Sequence, residues 1–239
     1  MAGVMQPGPG RPRHEARRRR GTTPRAEILD AAAELFTTRG YASTSTRAIA
    51  DAVGIRQASL YHHFGAKDDI LDALLSETIS APLDLVALLD RTGEPPEVRL
   101  YALAWFDVRQ LCAARWNLGA LYLLPELRSE RFAQFRLRRA ELRGRYERLA
   151  AEVATAWAVD AHTLPFRLVE SVINIRSDRG AAPDEADHLI PDTVLRMLGR
   201  NLDPAPVRLA AADLLDRLAE PGSELGVAEF ARDVPPDAE

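Results

Sequence analysis

Residues Arg47–Lys67 read RAIADAVGIRQASLYHHFGAK, and the reading of this stretch decides the fold. An alanine-rich aliphatic run stops at Val53-Gly54-Ile55. A second run starts at once, loaded with Gln57, Ser59, Tyr61, His62 and His63. Two short helices joined by a three-residue turn containing glycine form the helix-turn-helix pattern. Ile49, Ala50 and Val53 can face inward from the first helix. Leu60 and Phe64 can close the same core from the second. Gln57, Ala58, Tyr61 and His62 are then left as one outward stripe, at i, i+1, i+4 and i+5. A free helical face that offers an amide, a small residue, a phenol and an imidazole can enter a major groove. Gln57 can pair with an adenine edge, and Ala58 can meet a thymine methyl. Thr44 and Ser45 stand at a helix N-terminus, where hydroxyls and free N–H groups suit a phosphate.

The flanks extend the pattern. In TTPRAEILDAAAELFTTRG, residues 22–40, Thr23 can cap a helix and Pro24 suits its first position. Ile28, Ala32, Leu35 and Phe36 recur on one apolar face, and Gly40 ends the run. A longer helix begins near Lys67. Residues 22–70 are therefore expected to form a three-helix DNA-binding domain. Residues 1–21 read as a disordered basic arm carrying Arg11, Arg13 and Arg17–Arg20. That arm is either a solvated tail or a segment entering the minor groove beside the motif.

Behind residue 70, helical stretches are expected at about 96–112, 116–122, 126–158, 163–178, 186–200 and 205–219, separated by Pro125, Pro165, Gly180–Pro183 and NLDPAP. No stretch alternates with period two, so the fold class is all-α. Residues 71–220 are expected to form a second helical domain, for ligand binding and dimerisation, and 221–239 a mobile tail.

Composition narrows the classes. The chain has 239 residues, 46% of them hydrophobic, and one cysteine, Cys112. An intramolecular disulfide and a cysteine metal cluster are excluded. No apolar run approaches a membrane span, and the N-terminus has no apolar signal region, so a cytoplasmic location and no membrane partner are expected. The net charge of −4 hides an asymmetry. Residues 1–70 carry eleven Arg/Lys against seven Asp/Glu, and the remainder twenty against twenty-eight. An anionic partner for the front is the implication. No nucleophile–base pairing, phosphate loop or metal cluster is legible, so neither an enzyme nor a cofactor is expected. His62 and His63, about 100° apart on a helix, cannot easily share an ion.

RAEILDAAAELFTTRGYASTSTRAIADAVGIRQASLYHHFGAKDDILDALL, Arg25 to Leu75, resembles the N-terminal domain of TetR-family transcriptional regulators. AAAELF, GYASTS, IADAVGI and ASLYHHFGAKDDIL occur in the family's order and spacing. The resemblance implies a homodimer that binds a double-stranded DNA operator, with a variable ligand-binding domain behind. It implies phosphate contacts from Thr44, Ser45, Tyr61, His63 and Lys67. Base-edge contacts are implied from Arg47, Gln57, Ala58 and His62. Two positions depart from the family pattern. Ala48 stands where an acid often closes a capping box. Arg56 stands where a small hydroxyl often caps the second helix, and it can add a phosphate or base contact.

In the rear domain, EVRLYALAWFDVRQLCAARW is apolar nearly all round, so it is buried or lines a cavity. Leu100, Leu103, Ala104, Val108 and Leu111 make one face. Asp107 falls on that face and Arg109 near the other, and each either orients a ligand or pairs with a neighbouring helix. By resemblance a pocket forms here, walled by Trp105, Phe106, Trp116, Tyr122, Phe132 and Phe135, which suits a small apolar or aromatic effector. The basic amphipathic stretch 126–158 interleaves acids with its arginines and reads as a solvated face rather than a membrane-binding one. Phe166, Val169, Val172 and Ile173, then Leu189, Ile190, Val194 and Leu198, form two late stripes. By resemblance these pair across a two-fold axis; packing within the chain is the alternative. Pro191 would kink the second stripe or mark its true start. The whole reads as a ligand-responsive repressor. A regulator without a small-molecule effector and an all-α enzyme are the competing readings.

Overall fold

The computed structural model describes residues 23–200 and 203–219. The basic arm and the tail lie outside the described residues. Those residues are helical with no strand, and they divide into two compact units, one running through Leu71 and one from Asp72 onward.

The first unit is built from α1 (Pro24–Arg39), α2 (Thr46–Val53), α3 (Gln57–Tyr61) and the opening of α4 (Lys67–Leu89). Thr23 caps α1, accepting the Ala26 N–H at 3.2 Å, with Pro24 in the first turn. Ile28, Ala32, Leu35 and Phe36 are all buried, as are Ile49, Ala50, Leu60 and Phe64. Val53 is only half-buried. Gly54 ends α2 at φ +76°, where L side chains are strained. Its N–H returns to the last carbonyls of α2, and Ile55 N–H reaches Ala50 O at 3.0 Å. The second helix of the motif, expected over residues 56–63, is shorter. It ends at Tyr61, and His62 keeps right-handed helical angles beyond it. Asp69 starts α4, accepting the Ala66 N–H at 2.9 Å.

In the second unit α5 (Pro96–Ala113) is central, packed by α6 (Ala133–Val153), α7 (Pro165–Arg179), α8 (Ala186–Met197) and α9 (Ala205–Ala219). Leu100, Tyr101, Ala102, Leu103, Ala104 and Val108 are fully buried, so the all-round apolar pattern is spent on four neighbouring helices. Arg176 caps the C-terminal end of α5 by donating to the carbonyls of Leu111 and Ala114. Asp192 on α8 is buried and accepts from Tyr101 at 3.0 Å and from Arg208 of α9 at 2.8 Å, tying three helices together.

Three expectations are corrected. The continuous 126–158 helix is broken at both ends. Residues 118–132 form three short 3₁₀ turns, which include the expected 116–122 helix, and α6 begins only at Ala133. Its C-terminal end comes after Val153, where the Thr155 N–H leaves the helix to bond Leu198 O at 3.0 Å. Gly199 permits that approach: at φ +89°, a Cβ on it would lie 2.0 Å from Thr155 Oγ1. Alanine-rich helix propensity is overridden here by a tertiary bond. Second, α8 runs through Pro191 from Ala186, so the proline neither starts nor stops it.

Third, Phe166, Val169, Val172, Ile173, Val194 and Leu198 are buried inside the subunit itself. Their stripes pack within the chain and are not available to a second copy. Of the residues assigned to a dimer face, only Leu189 is exposed, at 56%. The outward faces of these helices carry a different set. Leu164 just before α7 is followed along that helix by Leu168, Ser171 and Ile175, and Leu189, Thr193 and Met197 follow one another along α8. All of these are half-buried or exposed.

The arginines of α6 are largely occupied within the chain. Arg139 Nε donates to Glu170 at 3.0 Å, Arg145 pairs with Asp90, Arg138 reaches Ser80 at 3.2 Å, and Arg143 lies 3.5 Å from Glu147. No helix among the described residues is long and apolar enough to cross a membrane.

Two tests follow from this packing. Gly199→Ala forces a side chain into positive φ and against Thr155. It should destabilise the protein by roughly 1–3 kcal/mol in chemical denaturation. The second concerns Asp107, which is buried on α5. Burial pushes its carboxyl up to about 7, with the hydroxyl donated by Tyr146 opposing and the Glu170 charge adding to the rise. From about pH 4 to about 7 the folded chain holds a proton that the unfolded chain, with its ordinary value of 3.8, has released. Stability through this group therefore falls as pH rises across that window, by up to about 1.4 kcal/mol per unit, and levels above it. Asp107→Asn should remove that slope. Denaturation across a pH series should show the variant gaining most on the parent above pH 7 and little near pH 4.

Candidate nucleic-acid interface

Helix α3 has five residues and buries one of them, Leu60. Arg56, Gln57, Ala58, Tyr61, His62 and His63 are all exposed, and Ser59 is half-buried. The structure thus brings the expected stripe to one solvent-facing surface. Arg56 precedes α3 without capping it by a side-chain bond, so its guanidinium remains at the surface. Arg47, on α2, is also exposed and lies 3.9 Å from Asp51, a pair too solvated to hold it firmly.

The loop before α2 sorts differently from the sequence expectation. Thr44 is buried, with its hydroxyl donating to Gly40 O at 2.9 Å and directed also at Leu35 O at 3.3 Å. Its hydrogen is used inside the domain, so Thr44 shapes the loop rather than meeting a phosphate. Ser45 is exposed and caps α2, accepting the Ala48 N–H at 3.1 Å. Its own O–H is not used in that cap and is left as a donor. Lys67 is half-buried. Its Nζ donates to Tyr41 O and Thr44 O, each at 2.9 Å, and sits 4.1 Å from the centre of the Tyr41 ring. Tyr41 in turn donates to Asp68. Lys67 is therefore first a clamp on the 41–44 loop, with one N–H left for an anion.

Sequence reasoning missed Thr46. Its Oγ1 accepts from Gln57 Nε2 at 2.9 Å and lies 3.1 Å from Tyr61 Oη. The missed signal was a hydroxyl on the first turn of the preceding helix, one residue after the cap.

The residues assigned to an effector pocket separate into distinct places. Leu103, Phe132 and Phe135 are core. Asp107 accepts from Tyr146 at 3.1 Å, and Tyr146 also reaches Leu103 O at 3.3 Å. Tyr122 donates to Thr78 at 2.6 Å, its ring lies 5.7 Å from that of Phe135, and Arg139 stacks over it at 5.1 Å. Trp105 lies on the other side of α5, where its N–H reaches Asp187 at 3.3 Å and its ring lies 5.0 Å from His188. Arg109 joins that group, 4.0 Å from Asp187. Phe106 and Trp116 are half-buried, Trp116 under Arg115 at 4.5 Å. Asp107 and Arg109 have thus each found a helical neighbour, Asp107 on α6 and Arg109 on α8.

Residues 28–74 match the family model described as bacterial regulatory proteins, tetR family. The chain is 53% identical over 51 residues to the HTH-type transcriptional repressor KstR2 of Rhodococcus jostii (strain RHA1), a match spanning 21% of this chain and 25% of that relative. The curated relatives of this kind are thus matched over about a quarter of their length. The crystal structure of Mycobacterium smegmatis AmtR is similar at a TM-score of 0.80 and 58% identity, covering 84% of this chain and 98% of that one. The KstR2 structure of Mycobacterium tuberculosis, at a TM-score of 0.57 and 20% identity over 75% of this chain and 95% of that one, shares the fold. A reading head that fits the family model, carried on a fold and sequence shared with nearly all of AmtR, places the answer beyond the motif alone: the chain belongs to the TetR family of bacterial regulatory proteins.

Proposed function

We propose that the protein is a repressor that binds a palindromic DNA operator as a homodimer, in the cytoplasm, and is released by a small molecule. The observation that carries the DNA part is the exposed face of α3. Gln57, Ala58, Tyr61 and His62 stand free of the core on a turn held from beneath by Leu60. Arg47 and Arg56 supply cations beside it. A single such head covers one half-site, so useful affinity needs two.

The proposed dimer face is the outward side of α7 and α8, since their inward stripes are consumed by the subunit core. Leu164, Leu168 and Ile175 with Leu189 and Met197 give an apolar patch that a two-fold axis can bury against its own copy. The proposed effector seat lies against the α5–α6 interior around Asp107, Tyr122 and Phe135, where aromatic rings and a buried acid meet. Release would be a population shift toward dimers whose heads no longer match successive major grooves.

Selection from random DNA followed by footprinting should give two protected half-sites centred about 34–36 Å apart, or a multiple of it. Gln57→Ala should relax preference at one base pair per half-site, by roughly 1–3 kcal/mol for a bidentate contact. An unaltered preference would remove Gln57 from the base edges.

Leu189→Glu tests the dimer face. The residue is exposed in the subunit, so the variant should keep its circular dichroism spectrum and melting behaviour. Like charges brought together at the axis should cost on the order of several kcal/mol of association. Sedimentation should show monomer, and operator affinity should collapse. A dimer of undiminished strength would exclude this face.

A further inference from the structure

We infer that Thr46 positions the reading head: its hydroxyl holds the Gln57 amide in one orientation at the major groove, and so sets base preference without touching a base. The inference rests on the proposed DNA reading and goes beyond it. Thr46 opens α2, whereas Gln57 and Tyr61 lie one turn apart on α3, so all three side chains meet across the helix-turn-helix angle. Gln57 Nε2 to Thr46 Oγ1 is 2.9 Å, and Thr46 Oγ1 to Tyr61 Oη is 3.1 Å. No other side-chain bond joins α2 to α3 among those described for these residues.

The chemistry of the three groups gives the tie a direction. A threonine hydroxyl has one hydrogen and two lone pairs. Whichever hydroxyl donates in the Thr46–Tyr61 pair, a lone pair remains on Thr46 for one amide hydrogen of Gln57. The amide is then left with its second N–H and its carbonyl oxygen. Those are the donor and acceptor that an adenine edge requires, N7 taking the N–H and the N6 amino group donating to the oxygen. A glutamine without the tie can rotate about three side-chain bonds and turn its amide over. It would lose that freedom on binding, and it would accept more base edges. The same hydroxyl also holds the Tyr61 phenol over the first turn of α2. The phenol and the amide are thus spaced by one atom rather than by two independent rotamers. α3 is too short to order its own exposed side chains by packing, and only Leu60 is buried on it. A bond from the neighbouring helix replaces that order.

The test uses the full chain and the sequence it selects from random DNA. Thr46→Val keeps the shape and removes the hydroxyl; Thr46→Ser keeps the hydroxyl. Affinities are measured for the selected operator, for its single-base variants and for unrelated DNA, at several salt concentrations. Thr46→Val should lose discrimination roughly three- to tenfold at the base pair that Gln57→Ala also affects, the worth of one hydrogen bond. Affinity for unrelated DNA should fall by less than that discrimination, and the salt slope should stay as in the parent because no charge is removed. Thr46→Ser should restore discrimination. In a Gln57→Ala background, Thr46→Val should add nothing further at that base pair.

A uniform loss across all sequences with a shallower salt slope would make Thr46 a phosphate contact and overturn the inference. So would unchanged discrimination in a folded Thr46→Val protein. A parent protein that selects no sequence would instead overturn the DNA reading, and this inference with it.

Discussion

A five-residue helix cannot hold itself. Nucleating one turn fixes several backbone angles for a single hydrogen bond, so α3 exists only because the rest of its unit supports it. Leu60 and Phe64 anchor it to the core shared with Ile28, Phe36 and Ile49. Gly54 bends the chain into it from α2 at a backbone angle that glycine adopts without strain. Everything exposed on α3 can then be chosen for recognition, because nothing exposed there is needed for folding. The polar surface and the apolar anchor are separated on one turn of helix, and that separation makes a reading head possible.

The loop before α2 shows how much of a polar surface can be internal. Thr44, Ser45 and Thr46 are three consecutive hydroxyls with three different jobs. Thr44 is drawn into the loop by the carbonyls of Gly40 and Leu35. Ser45 caps α2. Thr46 is directed across to α3. Lys67 closes the same loop from α4, stacked on Tyr41 and bonded to two carbonyls. A hydroxyl or an ammonium beside a short exposed helix is thus drawn into the architecture or left at the surface by which neighbour reaches it first.

The rear unit distributes its apolar surface by a different rule. Because four helices pack around α5, each of them must turn an apolar stripe inward. For α7 and α8 those stripes include Phe166, Val169, Val172, Val194 and Leu198, and the subunit core takes them. What remains outward is weaker and mixed, from Leu164 to Ile175 and from Leu189 to Met197, and so reads poorly as a pattern. The polar groups admitted to this core come with partners. Asp107 meets Tyr146, Glu170 meets Arg139, and Asp192 meets Tyr101 and Arg208, because each would otherwise pay the full cost of leaving water.

Local chemistry was legible from residues alone. Thr23 and Pro24 open α1, and Gly40, Gly54 and Gly180 end helices, because caps and positive φ depend on single residues. The 3.6-residue periodicity of Ile28, Ala32, Leu35 and Phe36 named a buried face before any fold was known. The stripe at Gln57, Ala58, Tyr61 and His62 was legible for the same reason, since helical spacing puts those residues together. Other matters depended on residues far apart in the chain. The end of α6 is set by Leu198 reaching back to Thr155, which no local propensity encodes. That Val169 and Val172 pack inside the subunit, and that Thr46 rather than Thr44 faces the reading head, follow from which helices meet and at what angle. Periodicity tells a helix which side is apolar; only the packing of its neighbours decides what covers that side.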